Sequence, residues 1–272
     1  MAVTPADISF LLAARALGAS FERTLMIGRQ WLFSDASSII GAYRAVGHDL
    51  DLETAEQLVR EGNDFAEPVF RHIGAREIDS LDASAYEGSS FVQDLNEPLL
   101  GHLRGAYDLV FDGGTLEHVF NLPQALKNCM EAVRPGGHFV TITPANSFLG
   151  HGFYQFSPEL YYRALSPENG FEVVVVLVKS DHRWGRWYEV VDPSAVRDRV
   201  MLSGPWPTLL FVLARRTSDV QPFATWPQQS DYETVWSGGG LAQSQALRKR
   251  MVARLPASVR RNIEVMRTRR AG

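Results

Sequence analysis

Two histidines and a few carboxylates carry the chemistry this sequence can offer. Glu117 and His118 follow the apolar run at 107–112 (YDLVFD), and His151, Tyr154 and Gln155 belong to a glycine-flanked aromatic stretch at 150–156 (GHGFYQF). Imidazole titrates near neutrality, so His118 suits a general base, while a histidine at the start of a helix serves packing or capping equally well. His151 and Tyr154 are candidates for contacts with a bound molecule. Trp184, Arg186 and Trp187, within RWGRWY at 183–188, either extend that pocket or form a buried or dimer-contacting aromatic cluster. Other chemistries are set aside. There is no Walker loop, no HExxH helix and no nucleophile-elbow GxSxG. The only cysteine, Cys129, falls on the apolar face of a predicted helix, and no CxxC or Cys/His cluster has metal-ligand spacing, so no metal is expected.

Such side chains need strand tips to hold them. TLMIG at 24–28 is short, apolar and stopped by glycine, which predicts a buried first strand. EIDSLDA at 77–83 and SFVQDL at 90–95 follow as the second and third, and YDLVFD as the fourth. Asn121, Pro123 and Gln124 supply a cap, a first-turn proline and a capping-box partner for a helix. Its apolar face carries Leu122, Ala125, Leu126, Cys129, Met130 and Val133, with Lys127, Asn128 and Glu131 opposite. HFVTIT at 138–143, EVVVVLV at 172–178 and PTLLFVLA at 207–214 complete seven strands. Helices are predicted from Thr4 and Pro5, from Ser157 and Pro158, and from Asp192 and Pro193. The region 29–77 is longer than a minimal crossover, so inserted helices are expected there, covering the sheet's edge or acting as a lid.

A strand ending LDAS, another ending QDL, then YDLVFDGGTLEHV and a helix running into RPGGHFVTITP together resemble the class I S-adenosylmethionine-dependent methyltransferases over roughly 24–216. The resemblance implies a doubly wound α/β fold: a seven-stranded, mostly parallel sheet with the last strand antiparallel and helices on both faces. It implies S-adenosyl-L-methionine as cofactor, with Asp82 accepting hydrogen bonds from the ribose hydroxyls. Asp94 and Leu95 would meet the adenine, Gly28, Arg29 and Gln30 would lie at the methionine part, and Asp112 and Gly113 would also bind the cofactor. Read as residues alone, Asp82 is also a turn aspartate capping a helix after Ser84, and Asp94 a loop acid. The family's strand acid and GxGxG are replaced here by Met26, Ile27, Gly28, Arg29, Gln30 and Trp31; Arg29 then either pairs with the cofactor carboxylate or blocks the site. The implied reaction is methyl transfer to a small-molecule or sugar hydroxyl, with His118, His151 and Tyr154 as the catalytic candidates. A non-catalytic methyltransferase-like binding or regulatory subunit is the alternative, and a nicotinamide enzyme, lacking GxGxxG, the third reading. No DPPY-like segment follows the fourth strand, which argues against amino-methylation of DNA.

Composition agrees with a globular protein: of 272 residues, 45% are hydrophobic and 21% charged. The formal charge of −4 divides unevenly, since 248–272 holds nine basic residues against Glu264 and leaves −12 on the rest. That basic end suggests an acidic partner, a homo-oligomer contact or an anionic surface, or else a solvated helix. Residues 1–216 are expected to form the methyltransferase-like domain with a helical insertion at about 32–76, and 217–272 a polar, basic, partly helical extension beyond SGGG at 237–240. The lone cysteine, the absence of a basic leader and the lack of any long apolar run predict a cytoplasmic protein without a membrane span.

Overall fold

Strands that are apolar at consecutive positions can only sit in a sheet covered on both faces, and this chain forms one. The structure, a computed structural model, describes residues 2–180, 185–196, 200, 202, 204–236 and 263–265. From the start of the chain come β1 (Ala2–Val3), α1 (Pro5–Ala16), β2 (Arg23–Ile27) and β3 (Trp31–Leu32). Three helices follow, α2 (Ala36–Ala45), α3 (Leu52–Gly62) and α4 (Glu67–Ile73), before β4 (Glu77–Asp82) and β5 (Phe91–Val92). Then β6 (Tyr107–Asp112), α5 (Leu122–Ala132), β7 (Val133–Asn146), α6 (Pro158–Ala164) and β8 (Phe171–Ser180) build the centre. The remaining elements are β9 (Trp187–Glu189), α7 (Pro193–Val196), β10 (Thr208–Arg216), α8 (Ser230–Trp236) and β11 (Ile263–Val265).

The main sheet has the order β11-β9-β8-β10-β7-β6-β2-β4-β5. The seven expected strands are its body. β5, β4, β2, β6 and β7 run parallel, and β10 is antiparallel to both β7 and β8, so the last strand is the reversed one. The chain builds outward from β2 in one direction through β4 and β5, and in the other through β6 and β7. The switch point between β2 and β6 is where an open α/β sheet leaves a crevice at the carboxyl ends of its strands.

Alternation along the strands divides the core in two. Leu25, Ile27 and Val110 face α5 and α6, where they join Leu126, Met130 and Tyr161. Met26, Leu109 and Phe111 face the other way, onto Leu11 of α1, Ile39 of α2 and Phe70 of α4. The helices between β2 and β4 therefore cover a sheet face, and the expected edge or lid position does not describe them. Local sequence starts several helices as anticipated. The Thr4 N–H donates to Asp7 Oδ2 at 2.7 Å, and the Leu160 N–H donates to Ser157 at the head of α6.

Four differences from the sequence reading have local causes. The third strand is only two residues long, because Asp94 takes the Asn96 N–H and side-chain amide and turns the chain away. Asn121 does not cap α5; its amide donates to the Asn96 carbonyl instead. Asn128 and Glu131, placed on the polar face of α5, are both buried. An additional strand, β9, pairs antiparallel with β8, and its Trp187 stacks on Phe10 and meets Phe211 edge-on at 4.6 Å, which makes Trp187 a packing residue. Trp184 and most of the basic end beyond 237 lie outside the described residues. Among the described residues no helix is long and apolar enough to cross a membrane.

Candidate functional site

At the tip of β2 the chain turns at Gly28, whose φ of +71° favours a residue without a Cβ. The Gly28 N–H donates to Leu81 O at 2.7 Å, so the turn is welded to β4. The carbonyl of Ile27 accepts from both Thr115 Oγ1 (2.6 Å) and Gln30 Nε2 (2.7 Å), which ties the β2 tip to the loop after β6. Gln30 is fully buried against Gly113. Its amide acts inside the turn, so what it offers a ligand is the placement of Gly28 and Gly113. Arg29 lies over the Phe65 ring at 3.8 Å, donates from Nε to Glu67 at 2.7 Å and from Nη1 to Glu87 O at 2.7 Å. The guanidinium thus bridges the turn, α4 and the loop after β4.

Asp82 and Asp94 occupy neighbouring strand tips, since Asp82 pairs with Val92 in the β4–β5 register. Asp82 is half-buried and accepts the Ser84 N–H at 3.1 Å. Asp94 is exposed, and the two bonds from Asn96 hold its carboxyl below the usual range. Leu95 is buried beside it. The loop bearing both is pinned from below by Asn128, which donates to Leu95 O and Glu97 O and accepts the Leu99 N–H.

Beyond the β6 tip opens a cleft of about 590 Å³, walled by Gly113, Glu117, His118, Ile142, Phe148 and His151 and roofed by residues 2–7. Two carboxyls lie beneath it. Asp112 is fully buried, accepts Thr141 Oγ1 at 2.7 Å and the Thr115 N–H at 2.8 Å, and is raised above the carboxylate range by burial in spite of those bonds. Glu117 is 1% exposed, and burial, followed by repulsion from Asp112, raises it further. Fewer donors surround the Glu117 carboxyl than surround Asp112, so burial of Glu117 is less opposed.

His151 Nε2 stands 3.4 Å from Glu117 Oε1, and the rings of His118 and His151 are 5.1 Å apart. Burial, then the neighbouring His151, keeps the His118 pKa below its ordinary value. The 150–156 loop is locked onto this point: the Phe153 N–H donates to Glu117 O at 2.7 Å, and a Cβ on Gly152 would stand 2.7 Å from that same oxygen. The Tyr154 hydroxyl is turned away and donates to Phe120 O at 2.6 Å.

The expected residues therefore fall into three groups: Gly28, Arg29, Gln30, Asp112 and Gly113 at the switch point, Asp82, Asp94 and Leu95 at the next two strand tips, and His118 with His151 in the cleft. Tyr154 stands apart on Phe120. Sequence reasoning missed the roof made by residues 2–7, for which the helix start at Thr4 was the only signal. It also missed Phe148 and the Thr141, Thr143 and Tyr161 hydroxyls beneath Asp112.

No family model matches this chain, and no curated protein does. Among solved structures, an S-adenosylmethionine-dependent methyltransferase from Mesorhizobium loti is 17% identical, covering 75% of this chain and 96% of its own, at a TM-score of 0.39. The 1,6-didemethyltoxoflavin-N1-methyltransferase of Burkholderia thailandensis is 16% identical over 79% of each chain, with a TM-score of 0.42. The N-methyltransferase NodS of Bradyrhizobium japonicum is 10% identical over 78% of this chain and 94% of its own, at 0.41. Likenesses this distant carry no statement about activity, which has to rest on the residues described above.

Proposed function

We propose that this protein transfers a methyl group from S-adenosyl-L-methionine to a hydroxyl of a small molecule with an apolar body. The observation that carries the reading is the run of strand tips on either side of the β2–β6 switch. Glycine backbone stands at Gly28 and Gly113, a carboxylate at each of the next two tips, and a cleft on the far side. These residues fit the donor. Asp82 would accept from the ribose hydroxyls, Leu95 and Asp94 would border the adenine, and the Gly28 turn would lie against the methionine part, with Arg29 already anchored beside it. When bound, this donor supplies an activated methyl on a sulfonium, so the protein's work is alignment and proton handling.

The cleft walls of Ile142, Phe148 and Phe211 support an apolar acceptor body, and the rings of Phe120 and Phe153, exposed beside it, extend that surface. His118 is kept neutral by its surroundings and is thereby able to accept the acceptor's proton; His151 holds the opposite side of the same opening. Tyr154, engaged with Phe120, shapes the rim. Residues 1–216 supply all of these groups, and the role of the basic extension is left to an acidic partner or a second copy.

Calorimetric titration with S-adenosylhomocysteine tests the reading. Micromolar binding is expected, weakened about 10–100-fold in Asp82→Ala by loss of hydrogen bonds to a charged acceptor worth ~1.5–3 kcal/mol. No heat at millimolar ligand would sink it. A second reading, a methyltransferase-like scaffold that binds without catalysis, is favoured by Arg29, whose bonds to Glu67 and Glu87 fill the turn where the family carries bare glycines. It predicts no methyl transfer to any acceptor and no heat with the same ligand.

A further inference from the structure

In the wall of the cleft, one carboxylate and two imidazoles converge. Glu117, His118 and His151 each present a ligand atom, and all three atoms lie within 4.8 Å of one another. Glu117 is 1% exposed, yet its Oε2 has no hydrogen-bond partner among the described residues, and its Oε1 stands 3.4 Å from His151 Nε2. A buried carboxylate oxygen left without a donor costs ~1–3 kcal/mol or more, so a fold retains one where something else completes it. We propose that Glu117, His118 and His151 form a binding site for one divalent transition-metal ion, open on its outer side to the cleft.

The donor set decides the class of ion. Two imidazole nitrogens and one carboxylate suit Zn(II), Fe(II), Co(II) or Mn(II), whereas Mg(II) and Ca(II) prefer oxygen alone. Three protein ligands leave at least one coordination position open, the pattern of sites that act on a bound molecule. Around a tetrahedral ion with bonds of ~2.0–2.1 Å, ligand atoms stand roughly 3.3 Å apart, so the present spacing has to contract by about 1.5 Å at most. The two histidines are exposed and supply that movement by changing rotamer. Glu117 supplies the fixed point, because the Gly114 and Gly152 backbones pack against it and its carbonyl holds the 150–156 loop. A plain His151–Glu117 ion pair accounts for one carboxylate oxygen only, and leaves His118 and Oε2 unexplained.

Metal binding stands independently of methyl transfer. If the proposed function holds, the open position is where an acceptor hydroxyl would bind; a metal-bound hydroxyl loses its proton more readily, and with His118 engaged as a ligand that proton would pass to solvent in place of His118; that last step rests on the methyl-transfer reading. The test uses untagged, chelator-treated full-length protein titrated with Co(II), followed by calorimetry and by the visible d–d absorption of the bound ion. One ion per chain is expected. Glu117→Gln and His151→Asn should each weaken binding at least about 10-fold, one power of ten in Kd, and His118→Asn with His151→Asn should abolish the absorption band. Circular dichroism and the thermal midpoint establish that each variant is folded, and His151→Asn, on an exposed side chain, remains informative where Glu117→Gln fails to fold. Absence of binding in the wild type, or an unchanged isotherm and spectrum in the double variant, would overturn the site. Titration of the same samples with S-adenosylhomocysteine reports separately on the donor pocket.

Discussion

The single residues that matter most here are buried polar groups whose surroundings decide their protonation. His138 is one outside the cleft. It is 6% exposed, its Nδ1 has no partner among the described residues, and burial, with Arg215 and Arg134 beside it, lowers its pKa to about 4. The unfolded chain takes up this proton at about 6.5, so between those values the unfolded state binds more protons and stability rises with pH. His138→Gln should therefore lose part of the wild-type decline in thermal midpoint as pH falls from 6.5 towards 4, equivalent to about 1–3 kcal/mol. The places of the acids at 82 and 94, near strand tips, and of the histidines at 118 and 151, after strands, were legible in the sequence. Their partners were not. Gln30 was expected at the cofactor and lies wholly inside, because the turn at Gly28 sends the chain back under β6, and the Tyr154 hydroxyl found the Phe120 carbonyl, which no local pattern announces.

Elements were legible where periodicity and punctuation agree. The strand at Tyr107–Asp112 and the helix at Leu122–Ala132 stand where apolar alternation, Pro123 and the glycines after Pro135 put them. The two-residue β5 was overestimated, because an Asx turn at Asp94 overrides the β-forming residues before it. α5 shows how an element can serve the site without touching it: Asn128 makes three hydrogen bonds to the 95–99 segment, all from a buried position. Asn128→Ala leaves those backbone groups unpaired and should cost about 2–4 kcal/mol in urea unfolding. Amide exchange at Leu99 should accelerate with it. An unchanged midpoint would mean that the loop is held by its own turn and not by the helix.

At the scale of the whole molecule, sequence order and spatial order diverge, and these residues meet because they do. The switch at β2 brings Gly28 beside Gly113, and the return of the chain after β7 brings His151 onto Glu117 and His118; the three-residue cluster has no readable spacing, which is why no metal was expected from the sequence. Gly152 makes that return possible, with φ +75° and no room for a Cβ against the Glu117 carbonyl. Gly152→Ala should lower stability by about 1–3 kcal/mol through backbone strain and displacement of the loop. Far-ultraviolet circular dichroism should stay native, and heat denaturation should show the loss. The seven-stranded body was legible from its strand sequence and order, while β9 was hidden in a segment whose aromatic and basic residues resembled a pocket wall. On the proposed function a nucleoside-bearing methyl donor lies across the tips of β5, β4, β2 and β6, and hydrogen exchange with and without S-adenosylhomocysteine would reveal it. Exchange should slow at residues 28–31, 82–84, 94–96 and 113–117, with no slowing at the β8–β9 edge; bound ligand that leaves those four segments unprotected, or protects a different surface, would rule this placement out.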